Sequence, residues 1–352
     1  MEAQHRFCNA DNVRRFLFSA LSAAGTAEEP ARAVTEALTE TSLRGVDSHG
    51  IRLILHYTKV VREGRINPAP KLSFTKSGES TGVVDGDNGF GHYASFFAID
   101  CGLELARKTG VGAVSVINSS HFGAAGCYVL RAALNGMAAL GTCNTDSLVL
   151  PHDGVRPFYG TNPLAFAAPV AGQRPFLMDM ATSVIPWNRV HDMRLKKLPL
   201  PPDVSVDQHG DPTIDPELSA ALLPLGGIQF GYKGAALASM AEVLSAVMTG
   251  MPYCSKLLRM DGEDMCTPRH LGHFFVVIDP SRFVPHPAYE QGMSTYLADL
   301  RGQTGRLGKT VMAPGDREWA TEKERSSSGI PIAEPLDREF ARLADELRIP
   351  AL

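Results

Sequence analysis

The sequence predicts an α/β protein, with a central sheet layered between helices (α/β/α) and helical segments at both ends. Three observations carry this. Helical periodicity runs to about residue 70, strand and helix patterns alternate from about residue 81, and helical spacing returns beyond residue 286. The expected organisation is one unit over 1–352: an N-terminal helical segment (1–70), a central α/β region (71–286) and a C-terminal helical segment (287–352).

Helices are expected over Asn12–Ala24, ended near Gly25, and over Ala31–Leu43, where Val34, Ala37, Leu38 and Thr41 share a face before Gly45. A third should run from Ser48 to about Glu63. Gly82–Asp85 is strand-like, Ala94–Lys108 helical, Val111–Ile117 a β-branched strand, Ala124–Asn135 a helix stopped by Gly136, and Met137–Cys143 a strand. Leu164–Pro169 and Pro175–Met180 read as strands about the turn Ala171-Gly172-Gln173. From Trp187 to about Gly227 the chain is Pro-rich and aperiodic, which predicts an irregular cover over a surface or an active site. Lys233–Thr249 reads as an amphipathic helix with Leu237, Met240, Val243, Leu244 and Val247 inward. Phe274–Ile278 is a strand, and helices over Ala288–Arg301 and Asp337–Leu347 are joined by a polar loop holding Arg325 and Gly329.

Composition narrows the function. The formal charge is -4, from 34 basic and 38 acidic residues without a long basic run, which argues against nucleic acid as a partner. No apolar window approaches the roughly 20 residues of a membrane span, and the N-terminus lacks a signal-peptide layout, so a soluble, cytoplasmic protein is expected. The 6 cysteines are scattered, with no metal-ligand spacing, and read as reduced packing residues; no metal is expected.

Asn118-Ser119-Ser120-His121-Phe122-Gly123 falls between an expected strand and an expected helix, where α/β proteins bind ligands. His121 there is either a site residue or a loop histidine bonded to its own backbone. A second histidine lies in Arg44-Gly45-Val46-Asp47-Ser48-His49-Gly50. If Asp47 or Ser48 caps the third helix, Ser48, the helix N-terminus and Arg52 could meet a carboxylate, with His49 on the same face and His56 one turn on; the other reading is ordinary capping on a solvated face. The Gly86, Gly89 and Gly91 spacing is not the G-x-G-x-x-G of a dinucleotide fingerprint and reads as a tight turn. Neither a serine-hydrolase elbow nor a P-loop is present. Lys233, between Gly231 and Gly234, suits an anion or is a solvated helix-end lysine.

Taken together, seven pieces resemble the type 2 malate/L-lactate (sulfolactate dehydrogenase-like) family. They are Arg44-Gly45-x-x-Ser48-His49-Gly50, Ser120-His121-x-Gly123, Tyr159-Gly160-Thr161-Asn162-Pro163-Leu164, Asp179-Met180-Ala181-Thr182-Ser183, Gly231-Tyr232-Lys233-Gly234, Leu271-Gly272-His273-Phe274 and Pro314-Gly315-Asp316. The resemblance implies a mixed-sheet, non-Rossmann fold and NAD- or NADP-dependent interconversion of 2-oxo and 2-hydroxy acids. It implies His121 or His49 as the proton-transferring residue; Ser48 and Arg52 stay as the carboxylate contacts of the helix-start reading above. Thr145, Asp179, Met180, Ala181, Lys233, Pro314, Gly315 and Asp316 would hold the cofactor. It also implies a homodimer or higher homo-oligomer. Many members carry an arginine four residues after the histidine of Ser-His-Gly; here Leu53 stands there and Arg52 precedes it. Two alternatives stay open: reduction of a cyclic imine carboxylate, and a ligand-binding protein without turnover.

Overall fold

The computed structural model describes residues 5–352. β1 (His5–Cys8) leads into α1 (Ala10–Ala23), α2 (Glu28–Leu43) and α3 (Ile54–Arg62). Asn9 starts α1 by accepting the Asp11 N–H with its side chain at 2.8 Å. Then come β2 (Ser73–Lys76), β3 (Thr81–Asp85), α4 (Gly91–Thr109), β4 (Val111–Ser119), α5 (Gly126–Leu134), β5 (Ala138–Cys143), β6 (Leu164–Ala168) and β7 (Phe176–Met180). The rest comprises α6 (Trp187–Lys196), β8 (Ser205–Val206), β9 (Ala221–Leu222), α7 (Gly227–Glu242), β10 (Leu271–Ile278), α8 (His286–Arg301), α9 (Asp316–Ser328), β11 (Ile330–Ala333) and α10 (Glu334–Leu347).

Seven strands form the central mixed sheet in the order β2-β3-β4-β10-β5-β6-β7. Among the described strands of this sheet, β3 and β4 form the one parallel pair of neighbours, joined through α4. β10 inserts between β4 and β5, antiparallel to both, and so brings a late segment of the chain beside the loop that carries His121. Along β4 burial alternates: Val114 and Val116 are enclosed under α4 and α5, while Ala113, Ser115 and Ile117 on the other face are half-buried. Phe274, Val276 and Phe166 extend that partly open face.

The two chain ends share a second core. Val13, Leu17, Val34, Leu38, Ile54 and Val60 of α1–α3 pack with Phe340 and Leu343 of α10, and β1 pairs antiparallel with β11.

Four local expectations are corrected. The helix expected over Ser48–Glu63 breaks at Gly50, whose extended backbone lets Ile51 N–H donate to Ser42 Oγ at 3.0 Å; a Cβ at residue 50 would collide with that hydroxyl. Two single turns, Asp47–His49 and Ile51–Leu53, precede the regular helix at Ile54, and no side chain caps either one. Ser48 is therefore not the cap of an α-helix. The helix bearing Lys233 starts earlier, at Gly227, and ends in a π-helical turn over Val243–Val247. It also faces the other way: Ala235, Ala238, Ala241 and Ala246 are buried, and Met240, Val243 and Val247 are exposed. Small residues let the helix approach the molecule closely, so the bulky ones turn out. The aperiodic stretch contains α6 and the β8–β9 ribbon around Val149, Val190, Leu200, Val204 and Leu222. The polar loop with Arg325 is helical, as α9, and Arg325 pairs with Asp47.

Candidate active site

The loop after β4 is held from several sides. Ser119 Oγ meets His273 Nε2 of β10 at 2.8 Å, and the His273 ring stacks on Phe122 with centroids 4.7 Å apart. Ser120 Oγ donates to the Gly89 carbonyl at 2.9 Å and accepts from Gly91 N–H at 3.2 Å, tying the loop to the glycine turn before α4. Gly123 has φ +71°, and a Cβ there would lie 2.8 Å from His92 Nε2. That residue must therefore stay small.

Within this frame His121 meets α3. Its Nδ1 lies 2.6 Å from the Tyr57 hydroxyl, which is also 3.4 Å from His92 Nε2. The His49 ring stands beside that of His121, centroids 6.0 Å apart and planes 21° apart, with its Nδ1 2.9 Å from Ser48 Oγ. Burial pushes His49 down to about 4, aided by the charge of Arg52, and pushes His92 down to about 3. Burial, then His49 and His92, hold His121 well below the ordinary imidazole range. All three rings are neutral at physiological pH.

This arrangement suits proton transfer. When His121 Nδ1–H donates to Tyr57 and Tyr57 donates toward His92, Nε2 of His121 keeps a free lone pair for a substrate hydroxyl proton. The same Nδ1–H bond then stabilises the imidazolium.

A cleft of about 300 Å³ opens on the same loop, lined by Ala124, Gly126, Arg44, Asp179, Pro314 and Gly315. Asp179 Oδ2 accepts from Gly126 N–H at 2.8 Å, and the Pro314 carbonyl accepts from Leu177 N–H at 3.3 Å. Surrounding protein raises the Asp179 carboxyl to about 6, against the Gly126 N–H and Arg44, which favour the anion. A Cβ at Gly126 would sit 2.9 Å from that carboxylate. The cleft thus offers a hydroxyl acceptor and close backbone approach, which fit the ribose of a dinucleotide.

Comparison with known proteins decides the family. A family model described as malate/L-lactate dehydrogenase matches residues 8–340. The chain belongs to that family. It is 34% identical over 349 residues to a malate dehydrogenase of Pyrococcus abyssi, covering 97% of this chain and 95% of the relative. It is 32% identical over 327 residues to an NAD(+) ureidoglycolate dehydrogenase of Escherichia coli O157:H7, covering 93% and 92%. The solved malate dehydrogenase of Entamoeba histolytica superposes with a TM-score of 0.93 at 29% identity, covering 99% of each chain. The protein is therefore a dehydrogenase of the same non-Rossmann α/β fold.

In this dehydrogenase the expected site residues fall into groups. His49, Ser48 and His121 come together, and Arg52 is exposed close enough to His49 for its charge to act there. α6 reaches the same place, since Asn188 Nδ2 donates to the Ser48 carbonyl at 3.1 Å. Asp179, Pro314 and Gly315 line the cleft, with Met180 and Ala181 following Asp179 at the end of β7. Asp316 turns away to pair with Arg301 at 2.7 Å and to accept from Ala313 N–H at 2.8 Å. Thr145 lies beyond β5, its N–H donating to Asn162 Oδ1 at 3.0 Å. Lys233 stands on the exposed side of α7, its ammonium 5.5 Å and 5.9 Å from the Phe230 and Tyr232 ring centroids, apart from the cleft.

Tyr57 and His92 were not foreseen as site residues. Each is fully buried, and the available signal was a polar ring in an apolar run: Tyr57 before Val60 and Val61, and His92 within Phe90–Ala98.

Proposed function

We propose that this dehydrogenase interconverts a small 2-oxo acid and its 2-hydroxy acid. The Tyr57–His121 hydrogen bond carries the reading, because it leaves one edge of a neutral imidazole ready for the proton at the substrate oxygen. NAD or NADP, when bound, supplies or accepts the hydride at C2. In oxidation the hydroxyl proton goes to His121 Nε2 as the hydride leaves; reduction is the reverse, with the imidazolium returning the proton. Asp179, Met180, Ala181, Pro314 and Gly315 would hold the dinucleotide, and Ser48 and Arg52 the substrate carboxylate. An anion there favours the imidazolium needed for reduction.

The partly open sheet face and the exposed Phe230, Tyr232, Val243, Val247 and Met248 support a homodimer in which a second copy covers α7 and brings Lys233 into use. Six unpaired cysteines suit a reducing compartment, the cytoplasm. Among the described residues no helix is long and apolar enough to cross a membrane.

The direct test follows oxidation of NADH and of NADPH against a panel of 2-oxo acids, with wild type, His121→Ala and His49→Ala. Turnover by wild type and its loss in His121→Ala support the reading. Full turnover by both variants refutes the assigned chemistry.

A further inference from the structure

The segment that enters β6 joins parts of the chain that are far apart in sequence. β6 runs antiparallel between β5 and β7, so residues 159–163 lie between the chain leaving β5, which carries Thr145, and the chain leaving β7, which carries Ala181 and Thr182. Thr145 stands on the sheet edge of His121, because β4 and β5 are both antiparallel to β10 and end on one side. Its neighbour Asp146 pairs with Arg269, whose charge reaches His121.

Asn162, fully buried, ties these parts to α7, the helix that bears Lys233. Its Oδ1 accepts from Thr145 N–H at 3.0 Å, and its Nδ2 donates to the Ala238 carbonyl at 3.1 Å and to Glu242 Oε1 at 3.0 Å. Beside it, the Thr161 carbonyl accepts from Thr182 N–H at 2.9 Å and from Thr182 Oγ1 at 3.1 Å, and the Tyr159 hydroxyl lies 2.7 Å from Ser239 Oγ. Gly160 permits this crowding, since a Cβ there would collide with Thr145 Oγ1.

Two features of this junction work against stability. Asn162 has φ +29° immediately before Pro163, where an extended residue is preferred. Glu242 is a buried carboxylate that pairs with no Lys or Arg among the described residues; burial raises its proton affinity, opposed by the Asn162 hydrogen bond. Strained backbone and buried acids of this kind gather at functional sites. Directly after Glu242 the helix widens into its π turn, a feature frequent at such sites.

Resting on the dinucleotide reading above, we propose that Asn162, braced by Glu242, is a positioning residue that sets Thr145 and residues 180–182 to hold the nicotinamide end of the cofactor. The hydride must pass beside His121, and Thr145 lies on that edge of the sheet. The cleft at Asp179, Pro314 and Gly315 is then left to the ADP-ribose half. Asn162 touches neither substrate nor cofactor; it acts through the backbone of Thr145 and, by way of Thr161, of Thr182.

The competing explanation is that Asn162 and Glu242 only pin α7 to the sheet. Two ligands separate the two: the reduced cofactor that wild type binds, NADH or NADPH, and ADP-ribose (or its 2′-phosphate, to match), which lacks the nicotinamide. Calorimetric titration gives both dissociation constants for wild type, Asn162→Gly, Glu242→Ala and Glu242→Gln. Glycine at 162 accepts the positive φ and deletes the side chain. Asn162→Gly and Glu242→Ala should weaken the reduced cofactor about tenfold, the worth of one or two hydrogen bonds, and leave ADP-ribose within about twofold of wild type. Glu242→Gln keeps an acceptor for Asn162 and should bind as wild type does. Affinity that falls alike for both ligands, or for neither, overturns the positioning role whatever happens to Tm. In wild type, the reduced cofactor should slow hydrogen exchange in the peptide holding Thr145 more than ADP-ribose does at saturation. Equal protection by the two ligands also overturns the inference, so it stays open to refutation where a variant fails to fold. A wild type that binds neither NADH nor NADPH would sink the dinucleotide reading itself instead.

Discussion

The Tyr57 hydroxyl lies 2.6 Å from His121 Nδ1, joining α3 to the loop after β4 across 64 residues of sequence. That bond occupies Nδ1 and, in the proposed mechanism, leaves Nε2 of His121 for substrate. Tyr57→Phe keeps the ring's packing and deletes only the hydrogen bond. It should lower kcat about tenfold with little change in KM, a smaller loss than the roughly 10²- to 10⁴-fold expected for His121→Ala. Steady-state rates and Tm on both variants check this; an unchanged kcat in Tyr57→Phe removes the tyrosine from the mechanism.

The depressed proton affinity of His121 gives the two reaction directions opposite pH behaviour. Oxidation needs the neutral ring, so its kcat/KM should stay level on acidification through the ordinary imidazole range, near pH 6.5. Reduction needs the protonated ring and should gain kcat/KM as pH falls. Initial rates in both directions test this, and an oxidation limb that drops near pH 6.5 would place the working group elsewhere.

Buried neutral histidines also set acid stability. His49 and His56 are pushed down to about 4, and His92 and His273 to about 3, in each case with burial as the largest cause. Unfolded imidazoles bind protons from about pH 6.5 downward and these do not, so their stabilisation is complete above that pH and is lost as pH falls toward the folded values. Each contributes a slope of up to about 1.4 kcal/mol per pH unit between the two. Thermal melts should show Tm dropping steeply below pH 6 or so, less steeply in His92→Gln.

Gly126→Ala places a methyl 2.9 Å from Asp179 Oδ2, inside the cleft assigned to the dinucleotide. Binding of NADH or NADPH, read by fluorescence titration, should weaken about tenfold, equivalent to roughly 1.4 kcal/mol. Unaltered binding would move the cofactor away from that cleft.

Val247 is 63% and Val243 48% exposed in the single chain, so a glutamate at either position should leave the isolated fold nearly unchanged. If α7 is covered by a second copy, Val243→Glu together with Val247→Glu should convert a dimer to monomers in size-exclusion chromatography with light scattering. A wild type that is already monomeric rules the interface out.

Most of the fold was legible because its signals are local. β-branched runs gave β4 and β10, and the periodicity of Val34, Ala37, Leu38 and Thr41 gave α2. His121 could be placed at a strand end before any contact was known, and the ordered set of short motifs was enough to point to the family. The sequence therefore determined most of the long strands and helices and the kind of chemistry to look for, but not α6, α9 or the β8–β9 ribbon. Tertiary structure alone decided that β10 inserts between β4 and β5, that Gly50 breaks the chain before α3, and that α7 buries alanines and exposes valines. The meeting of Tyr57 with His121 and His92 is also a tertiary outcome. Periodicity shows that a helix has two faces, but which face is buried depends on how closely its neighbour can approach. Strand order likewise comes from pairing between distant segments, which leaves no mark in either segment alone.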